Sequence, residues 1–362
     1  MTKRPGDLLT RPAPAAAALV GLALLDEARE GCGRLATLDD AEALHDFRVA
    51  LRRLRSVLRS FRSELGDAVP KKLQRQLRDV TRATGAARDA EVQLGWVRSH
   101  RAELGRRLPP GLPWLLARLA QQQDEAYADI RRTVPGEFRQ LERRVRRGLS
   151  TTLLDESPAA PPFATVTSRL IREHVAELEQ EAEGARSGPD ADAIHAARIA
   201  VKRLRYLLEP LAAERPRLVP MLESLKQLQT LLGELHDLHV LGAALGVAVA
   251  EAAAERARRL HAVALRGSPS PPRARGRRPG PRPASAGLLA LARLAGRTQD
   301  ELFGRLEAEW FAGPLARLTH DARAFADDLA ASSVPPPTPR LPRSRAARRA
   351  ALPSRYTRPA CP

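Results

Sequence analysis

Apolar residues recur at intervals of three and four along most of the chain, with Leu and Ala dominant and β-branched and aromatic residues sparse. That period belongs to helices with one buried face, so an all-α fold is predicted. The pattern predicts helices near residues 14–34, 40–64, 69–84, 86–107, 112–132 and 136–150, then near 163–184, 190–214, 217–234, 236–265, 286–311 and 314–331. Breaks are expected at Pro109-Pro110-Gly111, Pro135-Gly136, Pro158 to Pro162, Gly188-Pro189 and Gly313-Pro314, where a missing amide or a permissive backbone interrupts the hydrogen-bond ladder.

Within this pattern one string is written twice. His45-Asp46-Phe47-Arg48-Val49-Ala50-Leu51-Arg52-Arg53-Leu54-Arg55 returns 150 residues later as His195-Ala196-Ala197-Arg198-Ile199-Ala200-Val201-Lys202-Arg203-Leu204-Arg205. A second set, Arg78, Gly85, Arg88 and Asp89, returns as Lys226, Gly233, His236 and Asp237 at an offset of 148. A duplicated chain of 362 residues divides naturally into two helical bundles related by a pseudo-two-fold, each of ordinary domain length and able to bury a core. The expected limits are 6–150 for the first half, 151–162 for a Pro-rich linker and 163–331 for the second half. An insertion at about 266–287 and a tail at 332–362, both rich in Pro and Arg, have the composition of disordered segments.

Charge needs the same division. The net charge is +18, but the insertion carries six Arg and the tail seven, with no acid in either, so little of the excess belongs to the helical body. The high pI alone is therefore weak evidence for a nucleic-acid partner. Cys32 and Cys361 are the only cysteines, which excludes a disulfide framework or zinc spacing and fits a reducing cytosol. The run Ala15 to Leu25 is about half a membrane span and continues in helical register into Asp26-Glu27-Ala28-Arg29, so it reads as an amphipathic first helix. No segment is expected to cross a bilayer.

Projected on a helix, Arg48, Arg52, Arg55 and Arg59 share with His45 a strip about 80° wide. Leu44, Phe47, Leu51, Leu54, Leu58 and Phe61 fill the adjoining sector, so the strip borders the core where a merely solubilising face would lie opposite it. His195, Arg198, Lys202 and Arg205 repeat the arrangement beside Ile194, Val201, Leu204, Leu208 and Leu211. Such stacked cations repel one another, and no acid is interleaved at i+4. Guanidinium forks suit phosphate oxygens, and the two strips would face one cavity bearing an extended phosphate ligand. Arg78, Arg82, Arg88 and Lys226 are further candidates for that cavity. Arg53 and Arg203 fall off the strip and read as solvated. Gly85 and Gly233 are expected to permit a tight turn or close helix approach, and Asp89 and Asp237 to orient Arg or cap a helix.

The two His-x-x-Arg-x-x-x-(Arg/Lys)-Arg-x-Arg strings, Tyr206 after the second, and Gly85-x-x-Arg88-Asp89 with Gly233-x-x-His236-Asp237 resemble the CHAD family, the conserved-histidine α-helical domain. The resemblance runs from about Gly6 to Leu329. It implies two helical bundles around a basic central cavity that binds inorganic polyphosphate, and association with polyphosphate granules in the cytoplasm. His45, Arg48, Arg52, Arg55, His195, Arg198, Lys202 and Arg205 would then contact phosphate, with Arg59, Arg78, Arg82, Arg88 and Lys226 as a second tier. The chain departs from the pattern where His236 replaces the basic residue Arg88 and where Pro210 is expected to end or kink the second motif helix. No Glu-x-Glu-x-Lys string or strand-rich stretch is present, so the resemblance implies a stand-alone CHAD protein.

Non-enzymatic polyphosphate binding, without cofactor or metal, is the expected function. A general binder of nucleic-acid backbones is the alternative, with weak binding through the basic tails, although aromatics for base stacking are not interleaved with the strip. Enzymatic readings would make His45 or His195 a phosphoryl acceptor, or His45-Asp46, His236-Asp237 and His320-Asp321 metal ligands of a phosphohydrolase. Arg crowding opposes a dication, and neither a nucleotide loop nor a Mg²⁺ carboxylate set is recognisable.

Overall fold

Proline and glycine set most of the helix limits, and burial overrides them in two places. The structure, a computed structural model, describes residues 8–35, 40, 42–104, 110–154, 160–266 and 284–332. Its helices are α1 (Ala13–Arg34), α2 (Ala43–Ser60), the single turn α3 (Arg62–Leu65), α4 (Lys71–Ala83), α5 (Gly85–Ser99) and α6 (Leu112–Leu154). They continue as α7 (Phe163–Arg186), α8 (Ala191–Leu208), α9 (Val219–Leu265), α10 (Ser285–Leu306) and α11 (Pro314–Ser332). Among the described residues there is no strand, only an isolated bridge between Pro12 and Pro162. The fold is all-α.

Two expected breaks are absent. Pro135 lies inside α6, which runs through the Pro135-Gly136 pair because Ile130, Val134, Phe138 and Leu141 on both sides of it are buried. Burial of such side chains, at about 1.5–3 kcal/mol each, outweighs the hydrogen bond that proline forfeits. The break expected near residue 235 is also missing, and α9 passes through Gly233 without interruption. Gly313, at φ +144°, does end the preceding turn ahead of Pro314. Pro210 lies in a 3₁₀ turn directly after α8 and costs that helix nothing, since α2 and α8 have the same length of 18 residues.

The buried apolar side chains form one continuous cluster from Leu8 to Leu329, in place of a separate core for each half. Aromatic pairs tie its parts together. Phe47 of α2 meets Phe138 of α6 edge-on, with ring centroids 5.1 Å apart, and Phe61 stacks on Phe163 of α7 at 4.9 Å. At the start of each half, Ala13 N–H donates to Pro161 O (2.9 Å) and Phe163 N–H donates to Arg11 O (2.8 Å).

The close approach that positions α2 uses a different glycine from those singled out by the repeat. A Cβ on Gly31 of α1 would meet the Phe47 backbone nitrogen at 2.9 Å, whereas one on Gly85 would meet nothing within 4 Å. Helix α9 is long and apolar enough, by composition, to cross a membrane, with a mean hydropathy of 1.4 over its best window, contrary to the sequence expectation. It packs on α8 and α10 and carries Gly233, His236 and Asp237 to the site. The proposed insertion at 266–287 and tail at 332–362 lie outside the described residues, apart from their ends at Arg266, Ala284–Gly287 and Ser332.

Candidate functional site

The apolar sectors of α2 and α8 fix where the cations go. Leu44, Phe47, Leu51 and Leu54 of α2, and Ile194, Val201, Leu204 and Leu208 of α8, are buried, so the neighbouring strips are held along the edge of the core. The acids that open these helices are used as caps. Asp40 accepts from the amides of Glu42 (3.2 Å) and Ala43 (3.0 Å), and Asp190 from Ala193 (2.8 Å). Asp40 also binds Arg34, which holds its carboxyl below the usual carboxylate range.

The two strips face each other across a cleft of about 900 Å³. Its walls include His45, Arg48, Arg52, Arg55 and Arg59 from α2, and His195, Arg198 and Lys202 from α8. Helix α5 adds Arg88 and Asp89, and α9 adds Gly233, His236 and Asp237. Arg88 pairs with Glu91 at 2.7 Å.

Four expected residues are placed differently. Arg205 is absent from the cleft wall because Glu209 one turn later takes its Nε at 2.9 Å, while its guanidinium lies over the Tyr206 ring. Arg78 lines a smaller adjoining pocket. Lys226 lines a separate hollow between α9 and α11 and sits 3.7 Å from Glu223. Arg82 is exposed on α4 and belongs to none of these walls. Arg53 and Arg203, expected to be solvated, form ion pairs: Arg53 with Glu209 (2.9 Å) and Glu27 (3.7 Å), and Arg203 with Glu177. Glu27 and Glu177 are themselves 150 residues apart.

The remaining strip cations are poorly compensated. Among the described residues Arg52, Arg55, Arg59, Arg198 and Lys202 make no direct ion pair, Asp237 acting on Arg198 and Lys202 only at longer range, and the Nε donors of Arg52 and Arg198 are buried without an acceptor. Arg48 is partly satisfied, donating to Thr84 Oγ1 (2.6 Å) and Thr81 O (3.2 Å) at the end of α4. Desolvation, reinforced by neighbouring Arg, pushes Arg48 down to about 10, and desolvation with Arg198 and Arg52 pushes Lys202 down to about 6. His195 and His236 have ring centroids 4.7 Å apart. Burial and then Arg198 lower both, His236 to about 4. His45 is lowered by burial and Arg88. Burial raises Asp237 despite Arg198 beside it. The cleft thus concentrates hydrogen-bond donors whose protonated forms its burial and mutual repulsion disfavour.

Several wall residues escaped the sequence reading. His174 and Gln229 come from α7 and α9, and Arg203 is both ion-paired and cleft-lining. No spacing rule could have found Gln229, whose buried Oε1 lacks a donor. The sequence shows His236 as a repeat position but not as the ring neighbour of His195. Among the described residues no three His, Cys, Asp or Glu side chains are arranged to hold a metal ion.

The family model described as the CHAD domain matches residues 22–246, a span that contains both motif helices. Among solved structures, the CHAD domain from the plant Ricinus communis superposes with a TM-score of 0.58 at 24% identity, covering 83% of this chain and 93% of that one. PptA from Streptomyces chartreusis superposes with a TM-score of 0.50 at 17% identity, covering 88% and 100% respectively. These identities speak for the fold alone. No curated protein sequence matches. Because the family model spans more than half of the sequence and takes in both cationic helices, this chain belongs to the CHAD domain family.

Proposed function

We propose that the cleft binds inorganic polyphosphate, non-enzymatically, and that the protein resides with polyphosphate granules in the cytoplasm. The observation that carries this reading is the pair of buried, unpartnered Nε donors on Arg52 and Arg198, which come from opposite walls and are backed by Lys202. Buried donors of this kind cost about 1–3 kcal/mol each while unmade, and an anion threading between the walls recovers that cost. A repeating chain of phosphates matches two facing rows of cations better than a compact anion does. The family's association with polyphosphate points the same way.

The shape argues against nucleic acid. Among the described residues Tyr206 is the one Phe, Tyr or Trp on the cleft wall, and it is buried beneath Arg205, so none of these rings is offered to a base as a platform. Calorimetric titration with long-chain polyphosphate should show that Arg52→Gln with Arg198→Gln lowers affinity at least about tenfold with helicity unchanged. DNA and RNA, at matched phosphate and salt concentration, should fail to displace the polyphosphate. Equal competition by nucleic acid, or unaltered affinity of the double variant, would overturn the proposal.

A further inference from the structure

The floor of the cleft does not end at Arg59. Arg55 and Arg59 also form one side of an adjoining pocket of about 280 Å³, whose other side is the face of α4 bearing Lys71, Gln74, Arg75 and Arg78. Lys71, Arg75 and Arg78 stand at i, i+4 and i+7, within about 60° of one another on the helix. Among the described residues the pocket therefore gathers five cations and no acid on its walls, and Asp79, off the wall, lies 3.7 Å from Arg78. Helix α4 starts after Pro70 with no side-chain cap and no acid in its first turn, so its amide dipoles add to the same positive field. Nothing in the fold demands this concentration: Leu73 and Val80, on the opposite face, and Leu77, at the base of the pocket, hold α4 to the core.

The duplicated half supplies the control. At the repeat offsets, Arg55 and Arg59 become Arg205 and Glu209, and Lys71, Arg75 and Arg78 become Val219, Glu223 and Lys226. There the charges cancel, with Arg205 on Glu209 and Lys226 beside Glu223. A basic face kept in one copy and neutralised in the other is not a by-product of an Arg-rich composition.

We infer that this pocket is a second phosphate subsite, into which a polyphosphate chain held in the cleft continues past Arg55 and Arg59, and that the site is consequently one-ended. The inference rests on the cleft being the polyphosphate site. A chain leaves the cleft over the first half only, and the charge-compensated end of the second half does not carry it further. Short chains are satisfied within the cleft, whereas long ones gain the extra contacts.

The test uses the full chain with two probes, tripolyphosphate and long-chain polyphosphate. Lys71→Gln, Arg75→Gln and Arg78→Gln together, all at exposed helix positions, should weaken the long chain about tenfold and leave tripolyphosphate unchanged. The slope of log affinity against log salt for the long chain should also become shallower by about 2, as three lost phosphate contacts require. Lys226→Gln, at the position that matches Arg78 in the second half, should change neither probe. Equal losses for both probes would reduce the pocket to a diffuse field, and no loss for either would remove it as a subsite; both overturn the inference. If Arg52→Gln with Arg198→Gln leaves both probes unaffected, the cleft reading itself fails, whatever the pocket variant does.

Discussion

Lys202 is the residue on which pH should act most directly. Burial first, then Arg198, Arg52 and Arg205 around it, with Asp237 as the opposing charge, push it down to about 6, so that it is an uncharged amine at pH 8 before an anion binds. The sign follows from linkage. The unfolded chain binds a proton at Lys202 up to its ordinary value of 10.5, so the folded protein holds fewer protons than the unfolded chain between about 6 and 10.5 and gains stability from this group as pH rises through that window. Polyphosphate reverses the balance by favouring the ammonium. Binding at pH 8 should therefore take up close to one proton, seen as a dependence of calorimetric heat on the ionisation enthalpy of the buffer, and affinity should rise as pH falls towards 6. Lys202→Met should abolish the uptake; an unchanged uptake in that variant would assign the proton elsewhere. None of this shift was legible in the sequence, which shows a basic residue at a repeated position but not how deeply it is set.

At the scale of the element, the difference between α4–α5 and α9 explains why two copies of one string behave unequally. Buried Thr84 donates to Thr81 O at 2.8 Å and accepts Arg48, which satisfies the end of α4 and lets the chain turn before α5. The corresponding position in the second half is Leu232, which offers no hydroxyl, and the helix continues. Arg198 consequently has no helix end of this kind to bind, so the same letter serves partly as a brace in one copy and wholly as a wall in the other. Helical period and strip were readable because side-chain angle is fixed by spacing. Helix limits were less so, since Pro135 and Gly233 are breakers only where tertiary packing allows it. The glycine that matters for placing α2 is Gly31, and a methyl group there would press on the Phe47 backbone. Gly31→Ala should destabilise the fold by about 1–3 kcal/mol, measured by denaturant unfolding, and weaken polyphosphate binding by tilting the cationic strip. A neutral or stabilising result would show that α1 and α2 can separate at no cost.

For the molecule as a whole, the sequence predicted two related bundles with their strips facing one cavity; the buried apolar side chains of the described residues form one cluster, and the charges are distributed unequally between the copies. The inequality was latent in the letters, because Glu209 and Glu223 stand where Arg59 and Arg75 do in the first copy. Their effect becomes visible only when Arg205 and Lys226 are seen beside those acids. What a duplication preserves is the scaffold; what it releases is the freedom to specialise one end.

The paired main-chain bonds at Ala13 and Phe163 have one more implication. Together with the Phe61–Phe163 stack, they join the halves by contacts that do not depend on peptide continuity at residues 155–159. The two halves should behave as complementing fragments. Co-expressed as separate polypeptides cut in that stretch, they should co-purify as a heterodimer that still binds polyphosphate, and either fragment alone should expose its apolar face and aggregate. Recovery of a soluble single fragment with full affinity would mean that one strip suffices. On the other outcome, a single proteolytic nick would leave the molecule assembled and functional.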